Sequence, residues 1–430
     1  MIGLGIAMIF LMYVIKNFNN IYKILIAEFY FVLFSQALTT ILHAPSFIMY
    51  FTDICNLIII VHFIKTGDLF AIKKRYSFMI GCIAIFLGIG VCTSIVNGID
   101  IKLVVWALRN YGRFIVFIAG IVKYWNGKNT LKLFYSLFPI LILNTIISLY
   151  QSLQNIYSAD WIGGILGNYY GVNSYSIMFF MIAGGYFVNS YINKTEKLYR
   201  VVIALICIFT CVILADLKAF YFIFIVETIC IMILNKIGLR TIMMFVVGMI
   251  FAAVIYLVCL SVYNTQNIFD INYIGYYLTE SSYSYSTNSI NRTDGISIIN
   301  RVFKFSQDQK LFGLGLGSGE YNSFFAGDIY QKYGETHYIW FLYAWVYLEN
   351  GYIGLGMIIL LFISILLYLL KRNNNSNTVK ISCALLVASF ILIFYNPALR
   401  NDSAYILYTI IGIAIKECGE KTYEMVRYQN

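Results

Sequence analysis

From end to end the chain alternates long apolar runs with short polar breaks. Runs of roughly 17–25 apolar residues recur, each long enough to cross a hydrocarbon layer ~30 Å thick as a helix. The pattern predicts spans near residues 2–15, 24–42, 46–64, 78–96, 104–122, 133–151, 174–192, 200–215, 219–234, 241–263, 352–370, 380–396 and 404–416. It therefore predicts an all-α polytopic membrane protein with about 12–14 transmembrane helices and one large loop late in the chain. Four regions follow: a first bundle over 1–263, a loop over 264–337, an interfacial helix and last spans over 338–416, and a tail over 417–430. No A-x-A-like cleavage site accompanies the first span, which argues against a removed signal peptide. No fixed-period repeat is visible.

Composition agrees with that pattern. Of 430 residues 60% are hydrophobic and 12% charged, against about 25% charged in soluble domains. A net charge of +10 raises the question of a nucleic-acid partner, and its distribution answers it. Lys16, Lys23, Lys65, Lys73, Lys74, Arg75, Lys123, Lys128, Lys132, Lys194, Lys197 and Arg200 fall in alternate breaks. Lys236, Arg240, Lys371, Arg372, Lys380, Lys416, Lys421 and Arg427 extend the series on the same side. By the positive-inside rule that side is cytoplasmic, so the charge sorts the loops and implies no nucleic acid. The C-terminus is then cytoplasmic, and the 264–337 segment faces outward. Eight of the nine cysteines lie in apolar runs, as small buried hydrophobes do. Cys207 and Cys211 are one turn apart with no histidine near them, so no metal site is expected.

Several charges sit where apolar residues are expected. Only nine residues separate Arg113 from Lys123, a rise of ~14 Å, so Arg109 and Arg113 must lie within the membrane region on one helix face. Intramembrane arginines face a polar cavity, an anionic group or a structural acid. Glu28 and Asp53 are the acids at hand for Arg113, while Arg109 can snorkel outward. Asp216 and Lys218 share a tight outward turn, where they neutralise each other or leave Lys218 to meet an anion. Of three histidines, His43 and His62 read as structural; His337 lies where the chain re-enters the apolar phase. Residues 338–370 are too long for one crossing, ~50 Å as a helix. Glu349-Asn350-Gly351 offers a break, predicting a short helix along the outer membrane surface over 338–348.

Residues 311–325 read LFGLGLGSGEYNSFF, with Gly313, Gly315, Gly317 and Gly319 alternating. The stretch lacks the G-K-[ST] ending of a P-loop, so it is not a nucleotide site. It is either a hinge or a loop whose amides approach a ligand without intervening Cβ atoms. Tyr273, Tyr276, Tyr277, Tyr283, Tyr285, Tyr321, Tyr330 and Tyr333 add flat faces suited to sugar rings.

Arg292, then GLGLGSG, then His337, then Glu349-Asn350-Gly351-Tyr352-Ile353-Gly354 form an order that resembles the bacterial O-antigen polymerase and ligase superfamily. The resemblance implies a GT-C-like glycosyltransferase of the inner membrane, free of cofactor and metal. It would act at the outer face on glycans carried by undecaprenyl diphosphate. A polymerase adds them to another lipid-linked repeat; a ligase adds them to lipid A–core. A chain-length regulator is an implied partner. Arg292 matches the loop arginine that engages diphosphate and His337 the histidine of the catalytic region, with Glu349 beside it. Arg109, Arg113, Lys218, Arg301, Gly313, Gly315 and Gly317 are the further candidates for the diphosphate or glycan. Leu217-Lys218 stands where the family carries Ser-Arg, keeping charge without the planar fork. A flippase or transporter is the competing class, favouring paired halves with interrupted helices.

Overall fold

A computed structural model describes residues 2–67, 76–154, 158–235, 238–244, 246, 248, 250, 289–322, 325–372 and 376–427, with side chains described to residue 419. Among the described residues fifteen helices have both ends placed, in chain order α1 Ile2–Lys16, α2 Ile21–Thr40, α3 Phe51–Thr66, α4 Ser77–Val96 and α5 Ile101–Tyr124. Then follow α6 Thr130–Leu153, α7 Asn173–Ile192, α8 Leu198–Leu214, α9 Lys218–Leu234, and three short helices, α10 Gly295–Val302, α11 Gln307–Phe312 and α12 Asp328–Tyr333. The chain closes with α13 Leu342–Lys371, α14 Asn377–Tyr395 and α15 Ala404–Arg427. Among the described residues eight helical stretches are long and apolar enough to cross a membrane, and α1 and α8 are shorter apolar helices. The molecule is an all-α, multi-pass membrane protein. Most of the expected 241–263 span, Lys73, Lys74, Arg75, Lys236 and the tyrosines at 273–285 lie outside the described residues.

Local signals set the helix ends. The Asn20 side chain accepts from the Lys23 amide to start α2, and Asp100 accepts from Lys102 to start α5, each satisfying a donor the helix leaves open. Gly67 ends α3 in the left-handed conformation. Ser306 and Gln309 form a reciprocal capping box on α11.

Helix α7 is the centre of the bundle, buried from Ser174 to Tyr191. It packs on α8, α9 and α14, while α4 packs on α13 and α5 on α15. The turns at 41–50, 97–100, 158–172, 215–217 and 396–403 and the segments 289–322 and 325–341 collect at one end, here the loop end. At the other end Lys380 Nζ donates to Asn235 Oδ1 at 2.8 Å and Asn193 Oδ1 at 3.3 Å, tying α14 to α7 and α9.

Helix α13 departs from the expected surface helix. Gly351 breaks it with φ 62° and ψ −161°, where the sequence places the break, but residues 342–351 are all buried. Tyr343 and Tyr347 spend their hydroxyls on Asn291 O at 2.9 Å and Asn300 Oδ1 at 2.7 Å. The segment is buried all round, so protein and not a membrane surface surrounds it. Beyond the break, Tyr352, Leu360 and Leu367 are exposed, as a lipid-facing helix requires.

Candidate functional site

Helix α5 carries Arg109, Asn110, Tyr111 and Arg113 within little more than one turn. Arg109 grips Asp53 of α3 with both ends of its fork, Nε to Oδ1 at 2.9 Å and Nη2 to Oδ2. Its guanidinium lies 4.6 Å from the Trp106 ring centroid. Arg113 pairs with Asp402, in the turn between α14 and α15, and donates to the Arg400 carbonyl at 3.1 Å. The two arginines share a helix face and reach different acids. The expectation that Glu28 or Asp53 would serve Arg113 is corrected: Arg109 holds Asp53, and Glu28 accepts from Asn56 Nδ2 at 3.3 Å.

A third cation lies at the heart of this group. Arg400, 3% exposed, donates from Nη2 to Glu320 Oε1 at 2.5 Å and Glu349 Oε2 at 3.2 Å. Its guanidinium sits 3.5 Å from the Trp345 ring centroid and 4.7 Å from that of Tyr111, a cation–π arrangement. Asn110 Nδ2 donates to Glu320 at 3.0 Å and the Tyr111 hydroxyl to Glu349 at 3.3 Å. Burial works against the charge on Arg400, but Glu320 and Glu349 outweigh it and raise its pKa above the ordinary value. Asp53, Arg109, Asn110, Glu320, Arg400, Glu349 and Tyr111 thus form one continuous hydrogen-bonded chain across α3, α5, α13 and two turns.

The glycine stretch is docked onto this cluster. Leu314 N donates to Leu348 O at 2.9 Å and Gly315 N to Glu349 O at 2.8 Å, the carbonyls that the break at Gly351 leaves open. Gly317 N donates to Glu349 Oε1 at 3.1 Å. Leu316 N bonds Gly90 O at 3.0 Å, and its carbonyl accepts from Ser94 Oγ at 2.7 Å. A Cβ on Gly315 would meet the Ser94 backbone at 2.5 Å and one on Gly317 the Leu103 backbone at 2.6 Å; at Gly313 the obstacle is Glu349 itself. All three have positive φ. Their missing side chains admit α4, α5 and α13, so the expectation of a hinge or ligand-facing glycines is replaced by close backbone packing.

His337 and Arg292 occupy a neighbouring layer. Ile290 N donates to Thr336 O at 2.9 Å, and the Tyr343 hydroxyl accepts from Gly295 N at 2.9 Å, which sets the two segments side by side. His337 adopts the left-handed conformation, φ 60°, which histidine enters more readily than most side chains. Its ring stacks on Trp340 with centroids 3.8 Å apart, and Trp340 meets Tyr170 at 5.5 Å. Burial lowers the imidazole pKa and Glu335 opposes the shift, the net direction being down, so the ring is neutral at pH 7. The Arg292 guanidinium lies 5.4 Å from the Tyr395 ring centroid. Tyr338 donates to Gly319 O at 2.9 Å, so the histidine layer adjoins the Glu320 layer.

The remaining candidates stand apart. Lys218 pairs with Asp216 at 3.0 Å within its own turn, and Arg301 is exposed in the last turn of α10. Arg400, Glu320, Asp402, Asn110 and Tyr111 escaped the reading of the sequence. One signal was present: Arg400 is an arginine in a short turn on the side otherwise poor in basic residues. The cluster offers a buried cation between two carboxylates beside a neutral imidazole on an aromatic platform. Neither a protein-family model nor a characterised protein matches the chain.

Proposed function

We propose that the protein is a membrane glycosyltransferase of the GT-C-like kind, a polymerase of bacterial surface polysaccharide such as O-antigen or capsule. It moves a glycan from undecaprenyl diphosphate onto a second lipid-linked repeat at the outer face of the cytoplasmic membrane. The observation that supports this reading is the meeting of separate segments at the loop end: the glycine stretch on Glu349, and the Arg292 segment against His337 through Ile290 and Thr336.

In this reading the acceptor hydroxyl oxygen attacks the anomeric carbon as the bond from that carbon to the phosphate oxygen breaks. The electron pair leaves on the diphosphate, and cationic side chains stabilise the charge that builds there. Arg292 is the cation assigned to the leaving group, and the neutral His337 takes the hydroxyl proton. The rings of His337, Trp340 and Tyr170 offer flat faces for sugars. A single displacement inverts the anomeric configuration.

Arg292→Ala and His337→Ala each remove the long polysaccharide and leave single repeats on the carrier, read as a lost ladder on a gel at unchanged protein level. A normal ladder in either variant sinks the assignment of that residue; a normal ladder in both removes the site.

A further inference from the structure

A cavity of about 320 Å³ opens at the end of the bundle away from the loops, between α6, α7 and α8. Its wall is aromatic: Phe134, Tyr135, Phe138, Tyr186 and Phe187, with Phe134 and Tyr186 stacked at 4.6 Å. Glu196 and Arg200 stand at its polar rim, 3.3 Å apart, and the Tyr186 hydroxyl donates to Glu196 at 3.4 Å. The carboxylate is therefore satisfied from two sides, whereas the Arg200 side chain keeps 45% of its surface exposed. Lys132 in the first turn of α6 and Lys194 and Lys197 in the turn between α7 and α8 are exposed.

Two helices begin at this rim. Helix α6 starts at Thr130 and α8 at Leu198; neither has an acid in its first turn, and neither cap side chain accepts a first-turn amide. Each helix thus presents open N–H groups and the positive end of its dipole beside the basic residues. Around the mouth Leu131, Tyr135, Tyr199 and Ile203 are exposed, the apolar surface a bilayer covers.

We propose that this cavity is a binding site for an anionic glycerophospholipid of the leaflet at that end. Its phosphate is held by Arg200 and the α6 and α8 N-termini, and an acyl chain lies along Phe134, Phe138 and Phe187. Charge decides the class. The Arg200–Glu196 pair is neutral as a whole, and Lys132, Lys194 and Lys197 in the adjoining segments leave the excess charge positive, so phosphatidylglycerol is favoured over zwitterionic phosphatidylcholine. The site is independent of the proposed transferase chemistry at the loop end.

The test uses the full chain in neutral detergent, titrated with phosphatidylglycerol or phosphatidylcholine and read by native mass spectrometry. Wild type retains phosphatidylglycerol in preference. Arg200→Gln lowers that affinity roughly fivefold, the worth of one basic residue at an anionic surface, while Arg200→Lys keeps most of it. Because Arg200→Gln also leaves Glu196 without its cation, Lys197→Gln is the second variant; it weakens phosphatidylglycerol in the same direction, and Lys371→Gln, outside the cavity, leaves it unchanged. Place is read separately: Phe138→Trp is quenched by phosphatidylglycerol brominated along its acyl chain beyond the wild-type signal. Equal retention of the two lipids, unaltered affinity in both Arg200→Gln and Lys197→Gln, or no added quenching at Phe138→Trp would each overturn the proposal.

Discussion

Arg400 shows what a single residue can hold. Two carboxylates that together bond α13, α5 and the glycine stretch are tied to its Nη2. Arg400→Met leaves Glu320 and Glu349 buried without a counter-charge, a change that costs about 3–5 kcal/mol. A thermal melt in detergent should show the loss, and a variant that melts with wild type would mean the pair carries no such load. His337 belongs at this scale too. Burial holds its pKa below 6.5 and Glu335 lifts it, so the ring is neutral above its folded pKa and charges as pH falls through it. Glu335→Gln removes the lifting charge and moves that transition to lower pH. Trp340 fluorescence, which a stacked imidazolium quenches, reports the shift in a variant retaining only that tryptophan; a transition moving to higher pH would contradict the electrostatics. The cost of charge in the membrane made Arg109 and Arg113 visible in the sequence. Asp53 was recognisable as an acid within reach but not as the partner of Arg109, and Asp402 was not visible at all, because it lies 289 positions from Arg113 and nothing local marks a contact that tertiary packing creates.

Elements were more legible. Apolar run length fixes how far a helix extends, and the ends of α4 to α9 fall within a few residues of those the pattern predicts. Gly351 was legible because Asn-Gly favours the geometry that breaks a helix. The crossing beyond the break was legible too, but the surroundings of the segment before it were not, since a largely apolar segment fits a protein interior as well as a membrane surface. Alternating glycines carry the same ambiguity: close approach is readable, the identity of what approaches is not. Gly315→Ala therefore drives a methyl into the Ser94 backbone, 2.5 Å away, and frees the stretch from α4. Limited proteolysis near residues 311–325 should accelerate, whereas Gly356→Ala, with open space beside it, behaves as wild type. Equal protection of both variants would restore the hinge reading.

At the scale of the whole molecule, helices alternate in direction and gather their long connections at one end and most of their basic residues at the other. In the orientation we propose, which the positive-inside rule supports, the loop end lies outside. In a background without reactive native thiols, Tyr321→Cys should label with an impermeant maleimide on intact cells and Lys197→Cys only after lysis. The reverse pattern would invert the protein and remove the proposed chemistry with it. The interrupted α13 has a consequence for how the chain is made. Its open carbonyls at Leu348 and Glu349 are closed by amides of Leu314 and Gly315, which leave the ribosome earlier. During synthesis the glycine stretch can already meet α4 through Leu316 and Gly90, but its bonds to Leu348 and Glu349 wait for α13, so assembly of this region is completed only when that helix is inserted. A nascent chain halted after Phe341 has its bundle begun and its lock without a bolt.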